Sequence, residues 1–111
     1  MPAAVPLVEL ARTAKRELLA AGVQLVGDAG KPVRRVAVAC GAAGEFLADA
    51  IRAKADAFLT GEMRFHDALT AAAAGVGVLL PGHYTTERPG VEDLAATLAA
   101  AFPTAAVWAS E

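Results

Sequence analysis

The sequence predicts an α/β fold: a layered, mostly parallel sheet with helices flanking it. Three observations carry that expectation. Short apolar runs alternate along the chain with stretches of helical periodicity. Two of the runs, Ala57 to Leu59 and Val76 to Leu80, carry no polar side chain, as strands do when both faces of a sheet are covered. Glycines follow the runs and turn the chain back. A length of 111 residues suits one domain, taken as 1–111.

Leu7, Leu10, Ala11, Ala14 and Leu18 form one apolar stripe of a first helix, ended by Gly22. Val23 to Val26 is a short strand, and Gly27 to Pro32 is a turn. Val33 to Cys40 is expected to run as one strand into the interior, with Gly41 and Gly44 turning the chain after it. A helix follows that places Leu47, Ala50 and Ile51 on one face. Ala57 to Leu59 is a buried strand broken by Gly61, and Met63 to Ala74 is a helix. Val76 to Leu80 is a third buried strand, ended by Pro81-Gly82-His83. Val91, Leu94, Ala95, Leu98 and Phe102 mark a last amphipathic helix, and Ala105 to Ala109 is expected to be a final strand carrying Trp108.

Composition narrows the function classes. Hydrophobic residues make up 56% of the chain, much of it alanine. Surplus apolar surface is usually covered by a partner, so a homo-oligomer or a missing neighbouring lobe is expected. Net charge is -2 and there is no basic run, which argues against nucleic acid. One cysteine excludes a disulfide framework or a zinc ribbon within the chain. The stretch Met1 to Pro6 lacks the pattern of a signal peptide. The most apolar window, Ala71 to Leu80, is too short for a membrane span. The expected compartment is therefore the cytoplasm.

In a parallel sheet, the turns after the strand carboxyl ends converge on one edge, where ligands bind. Three turns fall there: Cys40 to Gly44, Thr60-Gly61-Glu62 and Gly82-His83-Tyr84. The most reactive side chains lie in or just beyond them. His83 and Glu87 are four apart and share a face if a helical turn starts near His83. An imidazole nitrogen with a carboxylate oxygen is a common ligand pair for a first-row metal. Pro89 places Glu87 in the first turn of a helix or just before it, where a polar loop with a favourable helix-end charge is the competing explanation. Glu62 and His66 are also four apart and are acid/base candidates, with a surface or capping role as the alternative.

The Gly41-Ala42-Ala43-Gly44 turn offers backbone to a phosphate but is not a full dinucleotide fingerprint. Cys40 is a nucleophile candidate, although a buried small hydrophobe is the simpler expectation. Only two histidines are present, whereas a well-held catalytic metal takes three or more protein ligands. One chain by itself hardly builds a complete metal site.

Four segments occur in order: Val36 to Gly44, Ala55 to Glu62, Phe65-His66-Asp67-Ala68, and Gly82-His83-Tyr84-Thr85-Thr86-Glu87-Arg88-Pro89-Gly90. Together they resemble the C-terminal half of the NIF-three-like family, whose members are often labelled GTP cyclohydrolase I type 2 homologs. The resemblance runs from about Leu7 to the end. It implies one of two related α/β lobes that face each other across a dinuclear metal site, in proteins that form ring-like homo-oligomers. By resemblance, His83 and Glu87 match the C-terminal metal ligands, and the ion is a divalent metal such as Zn, Mn, Fe or Ni. Glu62 and His66 match segments near the cleft and carry over as acid/base or ligand-orienting candidates. The family's N-terminal half supplies a His-His pair and an acidic residue, and no adjacent His-His exists in this sequence. The expectation is a hydrolase lobe acting on a phosphoester or nucleotide-type substrate with an incomplete metal site, or a non-catalytic binding and assembly module that keeps the fold.

Overall fold

The computed structural model describes residues 3–109. The N-terminal positions 1 and 2, part of the stretch judged against a signal peptide, lie outside them. The chain begins with β1 (Val5–Pro6) and α1 (Leu7–Glu17), then β2 (Gln24–Val26), β3 (Pro32–Val33) and β4 (Val36–Val38). A short 3-10 turn at Gly44–Phe46 leads into α2 (Leu47–Arg52), followed by β5 (Ala57–Leu59), α3 (Phe65–Ala73), β6 (Gly77–Leu80) and α4 (His83–Ala101).

The main sheet has the order β2-β6-β5-β4. β4, β5 and β6 run parallel, and β2 joins β6 antiparallel, pairing Gln24 with Leu80 and Val26 with Val78. β1 and β3 form a separate two-residue antiparallel pair. The expected α/β class with a mostly parallel sheet and flanking helices is what the chain adopts.

Period-two alternation in the central strands divides the core between two faces. Phe58 and Val78 point to one face, where Leu47 and Ala50 of α2 and Ala71 of α3 cover them. Ala57 and Leu79 point to the other, against Leu7 of α1 and Val33. Both faces of β5 and β6 are therefore buried, which explains why their sequences are apolar throughout. Fully burying a side chain such as Phe58 or Leu79 stabilises by about 1.5–3 kcal/mol.

Four boundaries differ from expectation, each for a local reason. The strand expected over 33–40 is split into β3 and β4. The Asp56 carboxylate accepts the backbone N–H groups of Arg34 (2.9 Å) and Arg35 (3.0 Å), and the Arg35 carbonyl accepts from Asp56 N. These bonds bend the chain at Arg34-Arg35 and leave no ladder there. They also hold the Asp56 carboxyl below its ordinary range, with Lys31 and Arg35 adding to the effect and partial burial opposing it.

The first helix ends at Glu17 and is capped by Leu18, with Leu19 in a left-handed conformation, before Gly22 is reached. The last helix starts at His83 and runs straight through Pro89. The expected strand over Ala105–Ala109 does not form, and that segment continues as irregular chain with Trp108 exposed. Three of its five residues are alanine, which favours strands weakly, and the segment pairs with neither edge strand of the sheet, β2 or β4.

Candidate metal-binding corner

The three turns picked out from the sequence meet at the carboxyl ends of β4, β5 and β6. They are locked together by backbone and hydroxyl groups. Gly82 N donates to Gly61 O (2.9 Å), and Glu62 N donates to Gly41 O (3.0 Å). Thr86 Oγ1 accepts from Gly41 N and donates to His83 O, both at 2.9 Å. Thr60, fully buried, accepts from Ala43 N (3.2 Å) and donates to Gly41 O (3.3 Å). Every buried side-chain polar atom among the described residues has a partner.

Gly61 is where this corner has no room to spare. A Cβ there would lie 2.5 Å from Gly41 O, 2.6 Å from His83 Cα and 2.8 Å from Thr86 Oγ1. Two of those three contacts are backbone, so nothing can swing aside. Glycine at 61 is what lets the turn after β5 touch both neighbouring turns.

On that frame His83 opens α4, with Gly82 (φ 115°) turning the chain before it. Glu87 follows one helical turn later. His83 Nε2 lies 3.2 Å from Glu87 Oε1, and His83 Nδ1 lies 2.7 Å from Glu62 Oε1. The ring thus stands between two carboxylates, one from its own helix and one from the turn after β5. The hydrogen bond that His83 donates to Glu62 raises the pKa of His83 above its ordinary value; partial desolvation opposes this and the Glu87 charge adds to it. All three side chains are about half exposed, so the pair is open to solvent at the sheet edge.

Two ligand atoms that share an ion at about 2.1 Å are roughly 3.0–3.4 Å apart for octahedral to tetrahedral angles. The His83–Glu87 spacing of 3.2 Å falls within that range. The space before the pair is kept clear by Gly41 (φ 75°): a Cβ there would meet Glu87 Oε1 at 2.7 Å and His83 Nε2 at 3.2 Å. The donor types, their spacing and this clearance fit a first-row divalent ion. They supply only part of its shell, because no group of three or more His, Cys, Asp or Glu side chains among the described residues is arranged to hold a metal.

The remaining candidates are placed as follows. Glu62 sits outside α3, which begins at Phe65 after an extended Arg64, so Glu62 and His66 do not share a helix face as their spacing suggested. The Glu62 amide is held by Gly41 O, which keeps it in the strand-end turn. His66 is exposed in the first turn of α3, and among the described residues no hydrogen bond or ion pair joins its ring to Glu62, His83 or Glu87. Cys40 is exposed rather than buried.

The Gly41–Gly44 turn donates two of its amides to threonine hydroxyls, and the Asp67 carboxylate stands where a Cβ on Gly44 would reach (2.6 Å), so an anion finds little open there. Beside the corner, Ala42, Gly44, Glu45, Glu62, Met63, Arg64 and Asp67 line an open cleft of about 720 Å³. Sequence reasoning did not find Thr60 and Thr86. The signal was present in a threonine directly after an apolar strand and in the paired threonines between His83 and Glu87.

Residues 1–111 match the sequence profile of the Duf34/NIF3 (NGG1p interacting factor 3) family. A Pseudomonas aeruginosa protein named GTP cyclohydrolase 1 type 2 homolog is 41% identical over 70 residues, covering 63% of this chain and 28% of that protein. The rat NIF3-like protein 1 is 37% identical over 94 residues, covering 81% and 24%. Among solved structures, a Staphylococcus aureus protein superposes with a TM-score of 0.81 at 29% identity, covering 94% of this chain and 34% of that one. A Bacillus cereus protein related to NIF3 superposes with a TM-score of 0.79 at 28% identity, covering 91% and 28%. The chain spans about a quarter of the length of these curated relatives.

Proposed function

The chain belongs to the Duf34/NIF3 family, and from that premise we propose that it is one lobe of a divalent-metal-dependent hydrolase, with His83 and Glu87 as its contribution to the metal site. The observation that carries this reading is the 3.2 Å approach of His83 Nε2 to Glu87 Oε1 at the strand-end edge, in space that Gly41 leaves clear. A bound ion would supply Lewis acidity and an activated water for attack on a phosphoester or nucleotide-type substrate. The chain's own residues hold and orient. Thr86 and Gly61 fix the start of α4, and Glu62, which touches the His83 ring, also lines the neighbouring 720 Å³ cleft with Arg64, the concavity we assign to a substrate. His66 is the more remote proton-transfer candidate, since it opens α3 rather than the corner.

Two ligands hold an ion weakly, so the remaining donors are assigned to a complementary lobe or to other copies in a homo-oligomer. The exposed apolar residues Val91, Leu94 and Leu98 of the last helix, with Phe102 just after it, supply surface for such an assembly. No helix among the described residues is long and apolar enough to cross a membrane, and we place the protein in the cytoplasm. A second reading, a non-catalytic assembly module that keeps the fold, draws on the lack of a complete ligand cluster among the described residues.

Elemental analysis of the purified, exhaustively dialysed protein decides between the two. Retained Zn, Mn, Fe or Ni that disappears in His83→Ala and in Glu87→Ala supports the hydrolase lobe, and phosphoesterase activity should follow the metal. A folded protein that holds no metal, even when loaded and mixed with its complementary lobe, supports the assembly module.

A further inference from the structure

We propose that Glu62 is the positioning residue of the metal site: it holds the His83 ring with its proton on Nδ1, so that the Nε2 lone pair is presented beside Glu87. This rests on the metal-lobe reading above and assigns Glu62 a role within it. An ionised carboxylate only accepts hydrogen bonds, so the 2.7 Å contact between His83 Nδ1 and Glu62 Oε1 has the ring nitrogen as donor. A neutral imidazole that donates from Nδ1 carries its lone pair on Nε2, the nitrogen that faces Glu87 Oε1 at 3.2 Å. The shorter contact is to Glu62, and it takes the ring proton.

Glu62 and Glu87 also differ in what anchors them. Glu87 rides on the same helix as the ring and moves with it. Glu62 projects from the turn after β5, where its amide is tied to Gly41 O and where Gly61 is packed against the His83 backbone. The Nδ1 bond therefore joins two elements and fixes the ring against the sheet edge. An outer carboxylate of this kind sets ring orientation and tautomer, and its loss typically weakens metal binding 10–100-fold. A carboxylate already engaged by the ring is placed to orient that ring before it can serve as a proton shuttle.

The test compares wild type with Glu62→Ala, Glu62→Gln and His83→Ala in the full chain. Zn²⁺ affinity is read by competition with a chromophoric chelator, and the ring tautomer of the metal-free protein is read by nitrogen-15 NMR above the His83 pKa. The expected result is a 10–100-fold loss in Glu62→Ala. Glu62→Gln, whose amide oxygen still accepts from Nδ1–H, should recover most of that loss. The Nδ1–H tautomer should dominate in wild type and give way to a mixture in Glu62→Ala. Zn²⁺ affinity that Glu62→Ala leaves unchanged while His83→Ala abolishes it overturns the positioning role and leaves the metal site standing. If wild type binds no Zn²⁺, the metal reading fails separately. The tautomer then decides for Glu62: an Nδ1–H form lost in Glu62→Ala upholds the positioning role, and one unaffected overturns it.

Discussion

The two ends of α4 live in different environments. Its first turn is welded to the sheet edge: Gly82 N to Gly61 O, Thr86 Oγ1 between Gly41 N and His83 O, and the His83 ring to Glu62. Its distal half carries Val91, Leu94 and Leu98 at helical spacing, yet no residue of the whole helix is buried. Amphipathic spacing was the reason to expect a helix there, and a helix forms, but its large apolar side chains stay 40–59% exposed. The corner is built from ties within the chain, whereas the distal stripe is left open to solvent and is the surface proposed above for assembly.

Substitutions at the two ends should differ sharply. Gly61→Ala attacks the corner where it is tightest and should destabilise by about 3 kcal/mol, seen as a lowered Tm together with loss of the His83–Glu62 coupling. A wild-type-like Tm would mean that the three turns are not in contact. Thr86→Val removes one hydroxyl and leaves Gly41 N–H without its partner, for a cost of about 1–2 kcal/mol by denaturant unfolding.

The pH dependence sharpens the comparison through His83, whose pKa is raised in the folded chain. A raised folded pKa gives stabilisation that is complete below the ordinary unfolded value of about 6.5 and is lost as pH rises through the folded value. In metal-free protein, stability should therefore fall slightly as pH rises above about 6.5, and less so in Glu62→Gln. At the far end, the double substitution Leu94→Glu, Leu98→Glu should change the stability of the isolated chain by less than about 0.5 kcal/mol, because both side chains are already exposed. A large loss would show that the stripe is buried in solution.

Much of this was legible in the residues. The three apolar runs ending in Cys40-Gly41, Thr60-Gly61 and Pro81-Gly82 placed the parallel strands and the edge where they converge, because burial on both faces leaves a plain apolar signature. The His83–Glu87 pairing was legible because four-residue spacing on a helix is a strong geometric constraint. The bond between Glu62 and His83 was not, since it spans 21 residues and depends on how closely two turns approach.

Spacing alone joined Glu62 to His66, and it failed there because the helix begins three residues later than Glu62, at Phe65. The split of the strand at Arg34-Arg35 was hidden for a similar reason: Asp56, distant in sequence, supplies the hydrogen bonds that bend it. The strand expected over 105–109 does not form: its three alanines favour strands weakly, and the segment pairs with neither β2 nor β4.

The chain has two histidines, one in the corner and one on α3, so each is the internal control for the other. The most direct test of the account is nitrogen-15 NMR of the histidine rings during titration with Zn²⁺. The account predicts that His83 Nε2 shifts as a metal-bound nitrogen while its Nδ1 keeps its proton, that His66 stays unmoved, and that Glu87→Ala suppresses the change. A titration in which His83 is unaffected, or in which His66 responds instead, would contradict it.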